Sequence, residues 1–401
     1  MPRPLILFGP CDRHNFGDLL FAHIAAALLP GRELIVAGLV ARDLRAWGGH
    51  AVRALDEVRT TLGAQPVDLL HIGGEILTCT AWQAAVILQN PQEAPALIAY
   101  LEHRPAERAA WVQRVLGSRD DAPYVVDRRA WTALRRVLYG SVGGVALAQC
   151  EPGLQAEVRG KLAAADAVGV RDAETQRQLQ AAGMAPQLLP DPAVMVAELF
   201  ADRLHDRALQ GEVAQLVQHF PQGYLAVQCS EDFTDDATLT QLAAQLTQIT
   251  RETGLGLALF RAGAAPWHDT LATLQRLATR LGRSKVRVFE SLQLWDICAL
   301  IAASRGFAGS SLHGRIVATA CALPHVSLRS PAAGTQQGKT AAWAATWEGA
   351  AADAVVDAAG LAPAVLRALG QAATARRQLA QALVQRYRRG FERLRDLLDE
   401  A

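Results

Sequence analysis

The chain has 401 residues, which is enough for two domains of ordinary size. Hydrophobic residues make up 51% and charged residues 20%, with a mean hydropathy of +0.10, and this composition excludes a disordered chain. Because 40 Lys and Arg residues balance 39 Asp and Glu residues, the net charge of +1 gives no general attraction to nucleic acid. No apolar run reaches the ~18 residues of a membrane span, so we expect a protein without a transmembrane segment.

The first half predicts alternating strands and helices. Its short apolar runs predict strands at residues 5–8, 34–37, 67–72, 142–147 and 167–170, with helices at 19–29, 81–136 and 173–182. This alternation is typical of βαβ units that form a parallel sheet. Pro190 and Pro192 interrupt the pattern, since proline cannot continue regular structure, and we place the domain boundary just after them.

The second half repeats the alternation more regularly. It predicts strands at 224–229, 255–260, 286–289, 306–308 and 325–328, helices between them, and a long amphipathic helix over 373–398. We therefore expect an α/β protein with two Rossmann-like domains facing a cleft. The predicted limits are 1–195 for the first domain, 196–372 for the second, and 373–401 for a C-terminal helix that packs back on the body.

The cysteines indicate a reducing compartment. No two of them form a CxxC pair, and most lie in apolar segments, which favours buried thiols over a zinc site or a disulfide framework. We therefore expect a cytoplasmic protein that holds no metal. The cysteines are Cys11, Cys79, Cys150, Cys229, Cys298 and Cys321.

The loop after the strand at 306–308 carries the most informative residues. Ligands of open parallel sheets bind at the carboxyl ends of the strands. Ser310 and Ser311 are good N-cap residues for the next helix, whose N-terminus suits a phosphate or a carboxylate. His313 lies in the first turn, where it can transfer a proton, and Gly314 permits close approach of a ligand. A purely structural role for Ser311 and His313 fits these residues equally well.

Strand ends in the first half supply a second set of candidate residues. Asn15 and Asp18 precede the first long helix, and capping that helix would explain both residues. A turn would explain Gly73 and Gly74, which precede Glu75. Arg171 suits a carboxylate or a phosphate, although a salt bridge to Asp172 or Glu174 is its simpler explanation. These residues follow predicted strands.

Several enzyme classes are excluded or disfavoured by motif. The sequence has no GxxxxGK[ST] loop, which excludes a P-loop nucleotidase, and no HExxH or GxSxG motif. It also lacks a complete GxGxxG fingerprint after its first strand, which disfavours a dinucleotide enzyme.

Taken together, the motifs resemble the polysaccharide pyruvyl transferase family. The resembling segments occur in the order of the family between about residues 4 and 347. They are residues 15–18 (NFGD), 71–75 (HIGGE), 168–172 (VGVRD), 191–193 (DPA) and 309–318 (GSSLHGRIVA), with Lys339 where the family tends to carry a lysine.

This resemblance implies a GT-B-like fold and transfer of a pyruvyl group from phosphoenolpyruvate to a hydroxyl pair of a glycan or glycan precursor, forming a ketal. Phosphoenolpyruvate is then a co-substrate, and no cofactor or metal is required. A lipid-linked acceptor would bring the protein to the inner face of the membrane. The resemblance implies catalytic roles for His313 and Arg171. The donor-binding residues would be Ser310, Ser311, Gly314, Arg261, Lys339 and Arg315, and the acceptor-binding residues would be Asn15, Asp18, Gly73, Gly74 and Glu75.

The chain departs from the family in two places. Many members carry Arg two residues before the histidine, where this chain has Ser311, and the glycine triplet of the family is reduced to Gly73 and Gly74 before Glu75. Two alternatives therefore stay open. One is a GT-B-type glycosyltransferase that uses a nucleotide sugar, and the other is a family member that has lost catalysis and acts as a binding subunit.

Overall fold

The computed structural model of the chain describes residues 3–282, 284–331, 338–349 and 355–400. The chain divides into two compact units. Unit 1 contains residues 1–192 and 386–401, and unit 2 contains residues 193–385.

Unit 1 is built on an eight-stranded sheet with the order β3-β4-β2-β1-β5-β6-β7-β8. All neighbouring strands are parallel except the pair of β3 and β4. The strands are β1 (Leu5–Phe8), β2 (Leu34–Gly38), β3 (Arg42–Asp43), β4 (Ala51–Ala54), β5 (Val67–His71), β6 (Leu134–Val142), β7 (Ala167–Val170) and β8 (Gln187–Leu188). The helices are α1 (Phe16–Leu28), α2 (Leu55–Leu62), α3 (Ala81–Ile87), α4 (Ala94–Leu101), α5 (Pro105–Leu116), α6 (Pro152–Ala163) and α7 (Ala173–Ala181).

Unit 2 contains a six-stranded parallel sheet with the order β11-β10-β9-β12-β13-β14. Three helices precede it, namely α8 (Val196–Leu199), α9 (Ala201–Ala208) and α10 (Gly211–His219). The strands are β9 (Tyr224–Gln228), β10 (Gly256–Leu259), β11 (Val286–Val288), β12 (Gly306–Gly309), β13 (His325–Leu328) and β14 (Val355–Val356). The remaining helices are α11 (Asp236–Thr253), α12 (Leu271–Leu281), α13 (Leu294–Ala302), α14 (Leu312–Ala320), α15 (Lys339–Trp347) and α16 (Leu361–Gly370). The last helix, α17 (Ala373–Asp399), begins in unit 2, and its residues from 386 onward belong to unit 1.

The central strands of both sheets are buried on both faces, which explains their nearly continuous apolar sequences. In unit 2 the chain builds outward from β9 to β10 and β11, then crosses to the other side of β9 to add β12, β13 and β14. This is the strand order of a Rossmann fold, and the direction of winding reverses between β9 and β12. The adjacent ends of these two strands are therefore the expected ligand site of the unit.

The described helices contain no segment long and apolar enough to cross a membrane. The predicted helical stretch over 81–136 is wrong in its second half. Its helices end at Leu116, and the strand β6 begins at Leu134. The predicted strand at 142–147 is correspondingly misplaced, because β6 has already ended at Val142.

Candidate functional site

The ends of β9 and β12 are held together by one amide side chain. Gln228, the last residue of β9, lies opposite Gly309, the last residue of β12. The Oε1 atom of Gln228 accepts hydrogen bonds from the hydroxyl of Ser310 (3.2 Å) and the backbone N–H of Ser311 (2.8 Å). The Ser310 oxygen in turn accepts the N–H of Ser230 at 3.2 Å. Gln228 therefore fixes the turn that leads into α14.

A buried carboxylate orients this amide. Both oxygens of Asp269 accept hydrogen bonds from Nε2 of Gln228, each at 2.9 Å, and Oδ2 also accepts the N–H of Ala262 at 2.6 Å. Because the amide nitrogen faces a carboxylate and the amide oxygen faces two donors, only one orientation of the Gln228 side chain satisfies all of these groups. Burial raises the pKa of Asp269 to about 7, although its contacts with Gln228 and Ala262 oppose the rise.

These contacts limit what the two serines can offer to a bound anion. The hydroxyl of Ser310 and the N–H of Ser311 both donate to Gln228, so neither hydrogen is available to a bound anion. The Ser311 oxygen caps α14 by accepting the N–H of Gly314 at 3.1 Å. Two hydrogen-bond donors remain at the start of this helix. One is the hydroxyl hydrogen of Ser311, and the other is the N–H of Leu312, which has no acceptor among the residues that the structure describes.

His313 lies in the first turn of α14, as predicted, with only 7% of its surface exposed. Gly314 has a packing role, and its predicted contact with a ligand stays a prediction. A Cβ atom at this position would lie 2.5 Å from the ring of Phe307. The helix can approach β12 this closely only because residue 314 lacks a side chain.

Arg315 is fully buried in an ion pair, which argues against the prediction that it binds the donor. Its guanidinium donates to both carboxylate oxygens of Glu348, the Nε–Oε1 distance being 3.0 Å, and its Nη1 donates to the hydroxyl of Ser327 at 2.9 Å. His325 lies 3.2 Å from the same carboxylate. Burial opposes ionisation of Glu348, but His325 and Arg315 outweigh it and lower its pKa to about 2.

Arg261, Arg329 and Lys339 are candidates for binding an anion in unit 2. Arg261 follows β10, is partly buried, and donates to the backbone oxygen of Glu290 at 3.2 Å. Arg329 follows β13 and is exposed. Sequence reasoning missed Arg329, although its position directly after a strand was the available signal. Since β10 and β13 flank β9 and β12, these two arginines lie at the same edge of the sheet as the turn at Ser310. The third, Lys339, is the exposed first residue of α15.

In unit 1, the ends of four strands meet at a second cluster. Arg171 follows β7 and donates to Glu75 after β5 at 2.5 Å and to Asp191 after β8 at 3.1 Å. Gly143 after β6 completes the cluster, because a Cβ atom there would lie 2.3 Å from the Glu75 carboxylate. Only 2% of Arg171 is exposed. This burial argues against the predicted role of Arg171 in binding donor charge. The alternative pairing with Asp172 is wrong, because the Asp172 carboxylate caps α7.

The other predicted residues of unit 1 have structural contacts. Asn15 caps α1 by accepting the N–H groups of Gly17 and Asp18, as the simpler explanation held. The carboxylate of Asp18 pairs with Arg13 at 3.3 Å. Gly73 and Gly74 have φ angles of 125° and 92°, which side-chain-bearing residues rarely adopt. None of these contacts tests the predicted binding of an acceptor.

A buried polar network beside α1 was missed by sequence reasoning. The hydroxyl of Tyr124 donates to Asp12 at 2.8 Å and accepts from Arg13 at 3.0 Å, while the Asp12 carboxylate also accepts the N–H of Leu39 at 2.7 Å. Burial raises the pKa of Asp12 despite Arg13 and Tyr124. The available signal was two charged residues directly after an apolar strand. Over the described ranges, no group of three His, Cys, Asp or Glu residues could hold a metal ion.

The orienting role of Asp269 gives a first testable prediction. We expect Asp269→Ala to leave the Gln228 amide and the Ala262 N–H without partners, costing about 1–3 kcal/mol in the free energy of unfolding. Amide hydrogen exchange of Ser311 should accelerate at the same time, because its acceptor loses its orientation. Exchange measured by mass spectrometry on peptides covering residues 307–314 checks this. Asp202→Ala, at an exposed position of α9, is the matched control and should change neither quantity.

Known structures resemble the whole chain in fold. A UDP-GlcNAc 2-epimerase from Methanocaldococcus jannaschii superposes with a TM-score of 0.54 at 11% identity, covering 93% of each chain. The enzyme of the same name from Neisseria meningitidis, bound to UDP-GlcNAc, gives 0.52 at 11% identity, covering 99% of this chain and 100% of that one. A trehalose 6-phosphate synthase from Burkholderia multivorans gives 0.50 at 13% identity, covering 99% of both. The chain is thus an α/β protein of the GT-B type.

A protein-family model matches part of the sequence. Residues 141–330 match the family model described as polysaccharide pyruvyl transferase. The segment includes Arg171, its partner Asp191 and the turn at Ser310, so the resemblance drawn from the motifs is confirmed over this part of the chain. No curated protein matches the sequence.

Proposed function

We propose that the protein transfers the pyruvyl group of phosphoenolpyruvate to two hydroxyls of a sugar in a glycan or glycan precursor. The observation that carries this proposal is the start of α14. There, an N–H of the first turn, the hydroxyl of Ser311 and His313 lie at the winding reversal of unit 2, within the segment that matches the family. A helix N-terminus attracts a small anion, and this one also carries an imidazole.

The charge of the donor fits the basic residues of this sheet edge. Phosphoenolpyruvate carries a phosphate and a carboxylate, and both require cationic or N–H donors. Arg261 and Arg329 follow the strands on either side of the pair β9 and β12. We propose that they bind the two anionic groups together with the Leu312 N–H, and that Lys339 is an additional cation. We assign no such role to Arg171 and Arg315, because both are held in buried ion pairs.

The reaction requires one proton to be delivered and one to be removed in the first step. A sugar hydroxyl adds to C2 of the donor while C3 accepts a proton, which converts the C=C bond into a C–C bond and gives a tetrahedral carbon. The bond from C2 to the phosphate oxygen then breaks, and the second hydroxyl bonds to C2 in its place. Of the two hydroxyl protons, the balance sends one to C3 and one to the released phosphate. We propose that His313 transfers the proton at C3.

The proposal is tested by incubating the purified protein with phosphoenolpyruvate and a panel of glycosides. We expect phosphate release that depends on both substrates, together with a rise in melting temperature when phosphoenolpyruvate is added alone. UDP serves as the comparison ligand, because a GT-B glycosyltransferase would bind a nucleoside diphosphate. Stabilisation by UDP but not by phosphoenolpyruvate would contradict the proposal, and so would binding of phosphoenolpyruvate without phosphate release on any glycoside.

A further inference from the structure

The loop between β10 and α12 is pinned at both ends. Asp269 near its end binds the N–H of Ala262 near its start at 2.6 Å, and the N–H of Asp269 donates to the oxygen of Gly263 at 3.2 Å. Within the loop, the N–H of His268 donates to the oxygen of Ala265 at 3.1 Å. The backbone of this loop is therefore held in one conformation.

Trp267 lies in this loop with an unusual backbone conformation and an exposed side chain. Its φ angle is 63°, in the left-handed region where a bulky residue is an outlier. Despite that strain, 43% of its surface is exposed. Strained backbone conformations of this kind persist where the surrounding structure imposes them, and they cluster at binding sites. The loop thus uses an unfavourable backbone geometry to present a large aromatic ring to solvent.

The other two strongly exposed aromatic side chains differ from Trp267 because they have partners. Trp47 packs edge-on against His14 at a centroid distance of 5.8 Å. The ring of Tyr100 lies under the guanidinium of Arg104, 4.2 Å away, and its hydroxyl donates to Glu107. Within the described part of the chain, no ring or cation contacts the indole of Trp267. Its exposed face is therefore open to a ligand.

The position of Trp267 relates it to the start of α14. The oxygen of the next residue, His268, accepts the N–H of Glu231 at 2.8 Å. Ser230, the neighbour of Glu231, donates its N–H to Ser310 at 3.2 Å. One short chain of contacts thus connects the indole-bearing loop to the turn proposed to hold the donor. Glu231 and Asp232 are exposed on this connecting segment, where their carboxylates can accept hydrogen bonds from hydroxyl groups.

We propose that Trp267 is a stacking platform for a pyranose ring of the acceptor. An open indole face on a loop that contacts a segment bearing exposed carboxylates suits a neutral ring that has apolar C–H faces and a rim of hydroxyls. The nearby acidic side chains disfavour a ring that carries phosphate, such as a nucleotide. The inference rests on the proposed function, because the ring that receives the pyruvyl group must lie within bonding distance of the donor.

The test uses saturation-transfer NMR on the full chain with methyl β-galactoside, methyl β-glucoside and methyl β-N-acetylglucosaminide. We expect at least one glycoside to bind the wild-type protein, with the strongest transfer on the C–H groups of one ring face. Trp267→Ala should weaken that binding about tenfold or more, since an aromatic contact is lost. Trp47→Ala, at the other exposed tryptophan, should leave it unchanged.

A second variant separates binding from folding. Glycine adopts a positive φ without strain, so Trp267→Gly should be at least as stable to thermal unfolding as Trp267→Ala and should still fail to bind the glycoside. A tryptophan with only a structural role would give the opposite result, namely lower stability with unchanged glycoside binding.

Three results would overturn the proposal. The first is that the wild-type protein binds no glycoside, and the second is that Trp267→Ala binds the glycosides as well as the wild type does. The third concerns uridine, which is added as a comparison ligand that carries a nucleobase: Trp267→Ala would lose the binding of uridine but keep that of the glycosides. Failure of the proposed function is detected separately. If glycosides bind through Trp267 while phosphoenolpyruvate neither stabilises the protein nor releases phosphate, the platform stands and the reaction assignment fails.

Discussion

Replacing His313 with alanine should reduce phosphate release from phosphoenolpyruvate by about 10²–10⁴-fold, the range expected when a positioned proton-transfer group is removed. His313 lies in the first turn of α14, beside the donors proposed to bind the anionic substrate. Because its proposed part is proton transfer to C3, the loss should fall mainly on kcat. Stabilisation of the variant by phosphoenolpyruvate in a thermal melt should remain. Steady-state kinetics measures the loss in kcat, and melting curves measure the stabilisation by phosphoenolpyruvate.

The control for this variant is His205→Ala, which removes an exposed histidine of α9 in the same unit and should leave kcat unchanged. Unfolding in urea distinguishes a catalytic loss from a folding defect. If His313→Ala keeps more than about a tenth of the wild-type activity, proton transfer by this residue is refuted. If the wild-type protein is also inactive but a deletion strain has a phenotype that His313→Ala does not reproduce, the chain acts as a binding subunit.

Replacing Arg315 with methionine should destabilise unit 2 by about 3–5 kcal/mol, because it leaves a buried carboxylate without its main partner. Only 1% of the Glu348 side chain is exposed, so water cannot replace the guanidinium. Urea unfolding followed by tryptophan fluorescence measures the loss. Arg276→Met breaks an exposed ion pair with Asp236 in the same unit and should cost no more than about 1 kcal/mol.

A double variant isolates the ion pair itself. Arg315→Met combined with Glu348→Leu removes both charges and should recover a large part of the lost stability, since an apolar pair tolerates burial.

The contribution of Glu348 to the free energy of unfolding also depends on pH in a fixed direction. Its pKa is lowered from 4.5 to about 2, so the ionised carboxylate stabilises the native state fully above pH 4.5. That stabilisation is lost as the pH falls through about 2. If the difference in unfolding free energy between wild type and Arg315→Met does not change between pH 4.5 and about 2, the proposed stabilisation by ionised Glu348 is refuted.

The sequence predicts the second sheet well because each of its central strands is a short apolar run between turn signals. The strand predicted at 325–328 coincides with β13, and that at 224–229 exceeds β9 by one residue. The strand β6 was missed because Arg135 and Arg136 near its start gave the segment a helical pattern. In the structure Arg135 is exposed and Arg136 reaches Asp166 at 3.2 Å, so neither charge enters the core. The partners of such residues lie far away in the chain and cannot be deduced from local periodicity.

The candidate site, like the fold, could be predicted from the sequence only in part. The position of His313 in a helix N-terminal turn follows from local signals, because a strand, two serines and a glycine precede it. The roles of Gln228 and Asp269 do not, since each depends on a partner more than 40 residues away. Arg171 and Arg315 resemble ligand-binding arginines in the sequence, and only the structure reveals the acidic residues that surround them. Charge at a strand end therefore predicts the neighbourhood of a site better than it predicts which residue is available.

The last helix affects how the protein can be synthesised and dissected. Residues 386–400 belong to unit 1, where a Cβ atom on Gly390 would overlap Leu189 and where Asp399 pairs with Arg32 at 3.1 Å. Unit 2 is therefore an insertion within the chain of unit 1. During translation the first 192 residues leave the ribosome without the segment that completes their core, so unit 1 can finish folding only after unit 2 has been made. A fragment that stops at residue 192 should accordingly aggregate, whereas the same fragment supplied with a peptide of residues 386–400 should regain solubility.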